Sequence, residues 1–175
     1  MGSNIPPITG IRVPSSVLSQ FLVDMFTEVG TSHAHAERMA DLLVQTDLRG
    51  VHSHGSHKII DYINMMLEGR VNISPELTVV NETPTTRVYD GDGGLGHFPC
   101  YEGTLWAIEK AKQYGTAAVT TRNHFHFGGA GKYTRMAIAC LLYTSPSPRD
   151  QRGAAYAAYG GKKKRGGGGG GGGGG

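Results

Sequence analysis

From Leu141 onward the chain has no stretch that could close a core. A Pro/Ser/Arg-rich patch gives way to an Ala/Tyr repeat, the basic run Lys162-Lys163-Lys164-Arg165 and an unbroken glycine tract from Gly166 to Gly175. Such a tail buries too little apolar surface to offset the entropy of ordering it, so disorder is expected from about Tyr143 and folding is confined to what precedes Cys140. Composition has to be read with that division in mind. The 28 glycines and the net charge of +3 are inflated by the tail, so neither argues for a nucleic-acid partner. The 38% hydrophobic residues are enough for one modest core.

Three chain divisions follow. Residues 1–13 are polar and proline-containing and read as an irregular N-terminal arm. Residues 14–140 carry the periodic segments. Residues 141–175 form a low-complexity tail, in which Leu141 to Asp150 resembles read-through of a sequencing adapter and is set apart from fold reasoning.

Within the middle division, Leu18, Phe21, Leu22, Met25, Phe26 and Val29 recur at three-and-four spacing, which predicts a helix capped by Ser15 or Ser16 and stopped by Gly30. Ser32 is the expected cap of a second helix with Ala36, Met39, Ala40, Leu43 and Val44 on one face. Ile59, Ile60, Ile63, Met66 and Leu67 give a third stripe, ended by Gly69. Leu77 to Val80 and Thr85 to Tyr89 are β-prone and flank a turn at Asn81-Glu82-Thr83-Pro84, predicting a hairpin. A helix is expected from Pro99 to Tyr114, a short buried strand at Ala117 to Thr121, and a last helix from Ala130 to Cys140. The order predicts a mixed α/β domain.

Only Cys100 and Cys140 are present, without a short-range pairing pattern, which disfavours a disulfide scaffold or a cysteine zinc site and fits a reducing compartment. No stretch approaches the roughly 20 apolar residues that span a bilayer, so the expectation is a soluble, cytoplasmic protein.

The chemistry is concentrated in Arg49-Gly50-Val51-His52-Ser53-His54-Gly55, with Lys58 just beyond. If the third helix begins near Ser53, His54 and Lys58 lie four apart on one face, where a cation could hold a carboxylate while the imidazole exchanges the proton of the neighbouring C–O group. Helix amides at that end would favour an anion and keep the imidazole neutral. The plain alternative is a serine cap and surface histidines opening an ordinary helix. His126 lies in a strand-to-helix loop ahead of Phe127-Gly128-Gly129, where glycines allow close approach of a ligand or merely reverse the chain.

Two further patterns compete. Gly91-x-Gly93-x-x-Gly96 satisfies the dinucleotide fingerprint but lacks the acidic residue expected about 20 positions on, where Arg122 stands instead. His52-x-His54 and His124-x-His126 could each present two imidazoles to zinc, with Asp47, Asp90 or Asp92 as carboxylates, which keeps a metal-dependent hydrolase as the rival class. A non-catalytic helical interaction fragment is the third reading.

Asp47 to Gly55 resembles the signature of the malate/L-lactate dehydrogenase family of non-Rossmann NAD(P)-dependent oxidoreductases. The likeness continues through Tyr62, Gly69 to Pro75, Asp90 to Gly96, Ala107 to Ala111 and Asn123 to Tyr133. It implies a malate/L-lactate dehydrogenase-like α/β fold, truncated here, and hydride transfer between NAD or NADP and a small 2-hydroxy or 2-keto acid. It further implies a homodimer when full length. Ser53 and His54 match the family's relay serine and proton-donating histidine. Lys58 falls where the family usually carries a carboxylate-binding arginine, so the charge is kept and the bidentate fork lost. His126, Phe127, Gly128, Gly129 and Ala130 match the cofactor-contacting segment, and in some members the histidine matching His126 is the proton acceptor. In this family the Asp90 to Gly96 loop does not bind phosphate in the Rossmann manner. Members run to about twice the foldable part of this chain, so the polypeptide as written is expected to be incomplete and inactive.

Overall fold

The computed structural model describes residues 10–140; the expected tail and most of the N-terminal arm lie outside the described residues. Residues 10–13 are exposed and belong to no element. The first two stripes become α1 (Ser15–Glu28) and α2 (His33–Asp47). Leu22, Val23 and Phe26 of α1 share a buried cluster with Ala36, Met39, Ala40, Leu43 and Val44 of α2. Burying six or more such side chains is what holds two helices of this length, since neither would be stable alone in water. Ser32 caps α2 as expected, its hydroxyl accepting from the His35 amide at 3.4 Å. Neither Ser15 nor Ser16 caps α1, because the helix already begins at Ser15 behind Pro14 and has no side-chain cap.

The third helix departs from the reading. The histidine stretch does not open a helix but forms two 3-10 turns, His52–His54 and Ser56–Lys58, before α3 (Ile59–Leu67) starts. The cause is Asp47 at the end of α2. Its carboxylate accepts from the Ser56 amide at 2.8 Å and lies 3.3 Å from His52 Nδ1. It also occupies the space where a Cβ on residue 55 would sit, so only glycine lets the chain pass. His54 and Lys58 therefore fall in separate turns and do not share a helical face. α3 then inserts Ile59, Tyr62, Ile63 and Met66 into the α1–α2 cluster.

Strands β1 (Thr78–Glu82), β2 (Thr86–Asp90) and β3 (Ala118–Arg122) form one sheet in the order β1-β2-β3. The hairpin is antiparallel, with a register shift between Val79 and Asn81. β2 and β3 are parallel, paired from Thr86 with Ala118 to Asp90 with Arg122, and α4 (His97–Tyr114) makes the crossover between them. Gly103 brings that helix onto the sheet, since a Cβ there would lie 2.7 Å from Val119 Cγ1. β3 is not the buried strand expected. Its residues alternate between exposed and half-buried, as suits an edge strand with α4 on one face and no second layer among the described residues. Helix α5 (Gly131–Ala139) follows the 123–130 loop and packs on α4 and α2.

Candidate active site

The glycine-rich loop after β2 and the loop after β3 run side by side. The amides of Gly91, Gly93 and Gly96 donate to the carbonyls of Arg122, Asn123 and His126 at 2.9, 2.9 and 3.0 Å, and the Phe125 amide returns a bond to Gly94 at 2.9 Å. At Gly96 a Cβ would sit 2.5 Å from His124 Nδ1. The fingerprint glycines thus serve chain-to-chain packing. The amides a phosphate loop would offer are already taken, and Arg122 is held by Asp90 at 3.0 Å. Asp90 further accepts from Asn123 and the Asp92 amide, and these bonds, Asn123's foremost, hold its carboxyl below the usual range.

This loop pairing fixes the main chain at His126. Its ring lies beside α3, where Tyr62 Oη is 2.7 Å from His126 Nδ1. On the other side stands His54, with ring centroids 5.6 Å apart. Ser53 Oγ is 2.8 Å from His54 Nδ1. Two imidazoles far apart in the chain therefore share one site, each engaged at Nδ1 by a hydroxyl. Burial holds the His126 ring below its ordinary value, helped by the positive potential of His54, Lys58 and Lys132. Lys58 is ion-paired with Asp61 at 2.8 Å in a partly exposed bridge, and it is close enough to act on His126.

A Cβ built on Gly129 would meet His54 Cβ and Thr46 Cγ2 at 3.7 Å, which places this loop beside α2 and the first 3-10 turn. Gly128 has φ +76°, a left-handed conformation that side chains rarely adopt. No carbonyl among the described residues takes the amides of Gly128, Gly129 or Ala130.

Four residues that the sequence did not single out as site residues stand directly around these histidines. Tyr62 anchors His126, and burial, with Asp61 nearby, keeps its phenol protonated far above the ordinary value. Tyr133 Oη donates to the Phe127 carbonyl at 2.7 Å and so pins the cofactor-like loop. His97, at the first turn of α4, is fully buried, with its ring 5.6 Å from that of Tyr62 and 6.3 Å from that of His126. Lys132, in the first turn of α5, is 3% exposed. A signal for Lys132 was present in the sequence: at helical spacing it falls four residues before the apolar Met136.

The paired-histidine metal reading does not survive the geometry. His52 turns to Asp47, whereas His124 is engaged by Thr121 Oγ1 at 2.8 Å and by the Phe125 carbonyl at 2.7 Å. Asp92 accepts from Asn72 and the Glu76 amide. The three carboxylates are thus structural, and no group of three or more His, Cys, Asp or Glu side chains among the described residues could hold a metal ion. Cys100 and Cys140 are free thiols.

A mixed α/β unit with two hydroxyl-anchored imidazoles in one site and a glycine loop beside them defines a class, and the relatives agree with it. Residues 13–167 match the malate/L-lactate dehydrogenase family, and the chain belongs to that family. It is 42% identical over 127 residues to a malate dehydrogenase of Pyrococcus horikoshii, an alignment covering 73% of this chain and 35% of that protein. The solved structure of the same enzyme superposes with a TM-score of 0.70, covering 73% of this chain and 36% of that one. An L-sulfolactate dehydrogenase of Methanocaldococcus jannaschii is 38% identical, over 68% of this chain and 35% of its own length. A malate dehydrogenase structure from Entamoeba histolytica gives 36% identity and a TM-score of 0.71, again over 73% of this chain and 36% of that one. The chain thus spans about a third of the length of the relatives it matches.

Proposed function

We propose that the protein of which this chain forms the substrate-side wall is a nicotinamide-dependent oxidoreductase that interconverts a small 2-hydroxy acid and its 2-keto acid. The observation that carries this reading is the His54–His126 pair, 5.6 Å apart between ring centres and each engaged at Nδ1 by a hydroxyl. NAD or NADP would lie along Phe127 to Ala130, where unclaimed amides and the left-handed Gly128 fit a ligand held at close range. When bound, the nicotinamide exchanges a hydride with the substrate carbon.

The chain's own residues handle the proton and the charge. Lys58 attracts the substrate carboxylate, and its side chain exchanges Asp61 for that group at little cost, since an exposed ion pair contributes little. With Nδ1 donating to its hydroxyl, an imidazole presents a bare Nε2 that takes the proton as an alcohol is oxidised. With the hydroxyl donating to Nδ1, Nε2 carries the proton and donates to the keto oxygen. The low proton affinity of His126 suits it to the first role at neutral pH. Ser53 and Tyr62 set the tautomers, and both hydroxyls stay protonated enough to serve either way.

The malate and sulfolactate dehydrogenases among the relatives place 2-hydroxy acids first among the substrates to try. Residues 13–140 exchanged for the matching segment of the Pyrococcus malate dehydrogenase should yield a chimera that reduces oxaloacetate with NADH or NADPH. His54→Asn and His126→Asn should each lower kcat by about 100-fold or more. Chimeric activity that survives both substitutions, or that a chelator abolishes, would overturn the reading.

A further inference from the structure

Behind Gly128 the described residues enclose charge without an acceptor. The Lys132 ammonium is buried and has no hydrogen-bond partner among the described residues, and the centroid of the Tyr133 ring lies 5.3 Å from it. Neither nitrogen of the fully buried His97 has a well-formed partner, although the His126 main chain beside it gives partial relief. Both groups converge on one point, for a Cβ built on Gly128 would lie 2.5 Å from Lys132 Nζ and 2.6 Å from His97 Nε2. The surroundings add further positive potential. Arg49 acts on Lys132, and Arg135 acts on Arg49. The compensating groups are Asp41, which acts on Arg49, and the Cys100 thiol. Buried cations of this kind are ordinarily paired, and a partnerless one beside an orphaned imidazole is the inverse image of an anion.

We propose that Lys132 Nζ and the His97 ring form a receiving pocket for a second acid group of the substrate, a carboxylate or sulfonate, in addition to the carboxylate drawn to Lys58. The proposal rests on the oxidoreductase reading and narrows it to dianionic 2-hydroxy acids. Both lysines act on His126, so both cations lie within electrostatic reach of the imidazole that would face the reacting carbon. Lys132 Nζ has no outlet to solvent in this arrangement. The acid group therefore enters as the Phe127–Ala130 loop, with glycines at 128 and 129, moves aside. A bound anion would also restore the ammonium, which burial and Arg49 push down to about 7.

The test uses the 175-residue chain, with L-malate and L-lactate as probes at matched ionic strength. In the native sequence malate should bind about tenfold more tightly than lactate, with a correspondingly larger rise in Tm. Malate binding at pH 8 should also take up protons, seen as a buffer-dependent calorimetric enthalpy. Lys132→Met should keep the lactate affinity, lose the malate advantage and lose the proton uptake. This variant removes a buried charge and leaves an apolar stem of similar size, so it should melt no lower than the native chain.

Equal affinity for the two acids, with both lost in Lys58→Ala, would sink the Lys132 pocket and leave the oxidoreductase reading standing. A malate advantage that persists in Lys132→Met would sink it too. Absence of binding by either acid would remove the substrate-side reading and this inference together.

Discussion

The molecule has two interiors built on opposite terms. Between α1, α2 and α3 the interior is mostly apolar: Leu22, Phe26, Ala36, Ala40 and Leu43 are fully buried, and the phenol that Tyr62 brings is spent on His126. Between α4, α5 and the 123–130 loop the interior is polar and open in its bonding. His97 and Lys132 are as inaccessible as the leucines, yet three of their nitrogens lack partners. The first interior exists to be stable. The second carries an electrostatic cost that a fold keeps only where a ligand or chemistry repays it.

The contrast can be broken most forcefully from the apolar side. Phe26→Ala empties a fully buried ring site and should cost about 4 kcal/mol in urea-induced unfolding. A loss below about 1 kcal/mol would mean that the helical cluster is not the stabilising core.

Lys132 probes the polar side with the opposite sign. The ammonium has its ordinary value of 10.5 when unfolded and about 7 when folded, so the folded chain sheds a proton that the unfolded chain keeps. The resulting destabilisation is complete below pH 7 and is relieved as pH climbs toward 10.5. Lys132→Met should therefore be more stable than the native chain by about 4–5 kcal/mol at pH 6, with most of the gap closed by pH 10. Denaturation curves for the pair at the two pH values measure this, and a gap independent of pH would show that the ammonium is not the source.

At the seam between the interiors, Gly55→Ala drives a methyl into the Asp47 carboxylate and strips its bond to the Ser56 amide. A loss of about 2 kcal/mol is expected, together with shifted ring resonances of His52 and His54 in NMR spectra. The smallest effect belongs to the surface. Lys58→Ala breaks the pair with Asp61 and should change stability by less than about 0.5 kcal/mol, because that bridge is half in water. A larger loss would mean that Lys58 supports the fold rather than awaiting a ligand.

The apolar interior was legible in the sequence because its signal is local. Three-and-four spacing of Leu18 to Val29 and Ala36 to Val44 specifies helices, and a buried face follows from the same spacing. The hairpin expected around Asn81 to Pro84, whose first strand runs on through Glu82, and the helix end at Tyr114 were equally local. The likeness of Asp47 to Gly55 and of Asn123 to Tyr133 to the family pointed to the two segments that meet at His54 and His126. Where local reasoning failed, a tertiary contact had displaced it. Asp47 claims the Ser56 amide and breaks the helix expected to carry His54 and Lys58 on one face. The edge position of β3 exposes a strand whose composition reads as buried.

The sequence by itself thus determined the helices and the hairpin, since residue type and short-range spacing encode them, while its resemblance to a known family gave the family and singled out the two histidines as candidates. Only the tertiary structure decided that those histidines share a site, that the Gly91 to Gly96 amides are taken by a neighbouring loop, and that Lys132 and His97 meet behind Gly128. These are relations between segments far apart in the chain. Their cost or benefit depends on which groups become neighbours once water is removed, and no local pattern records that.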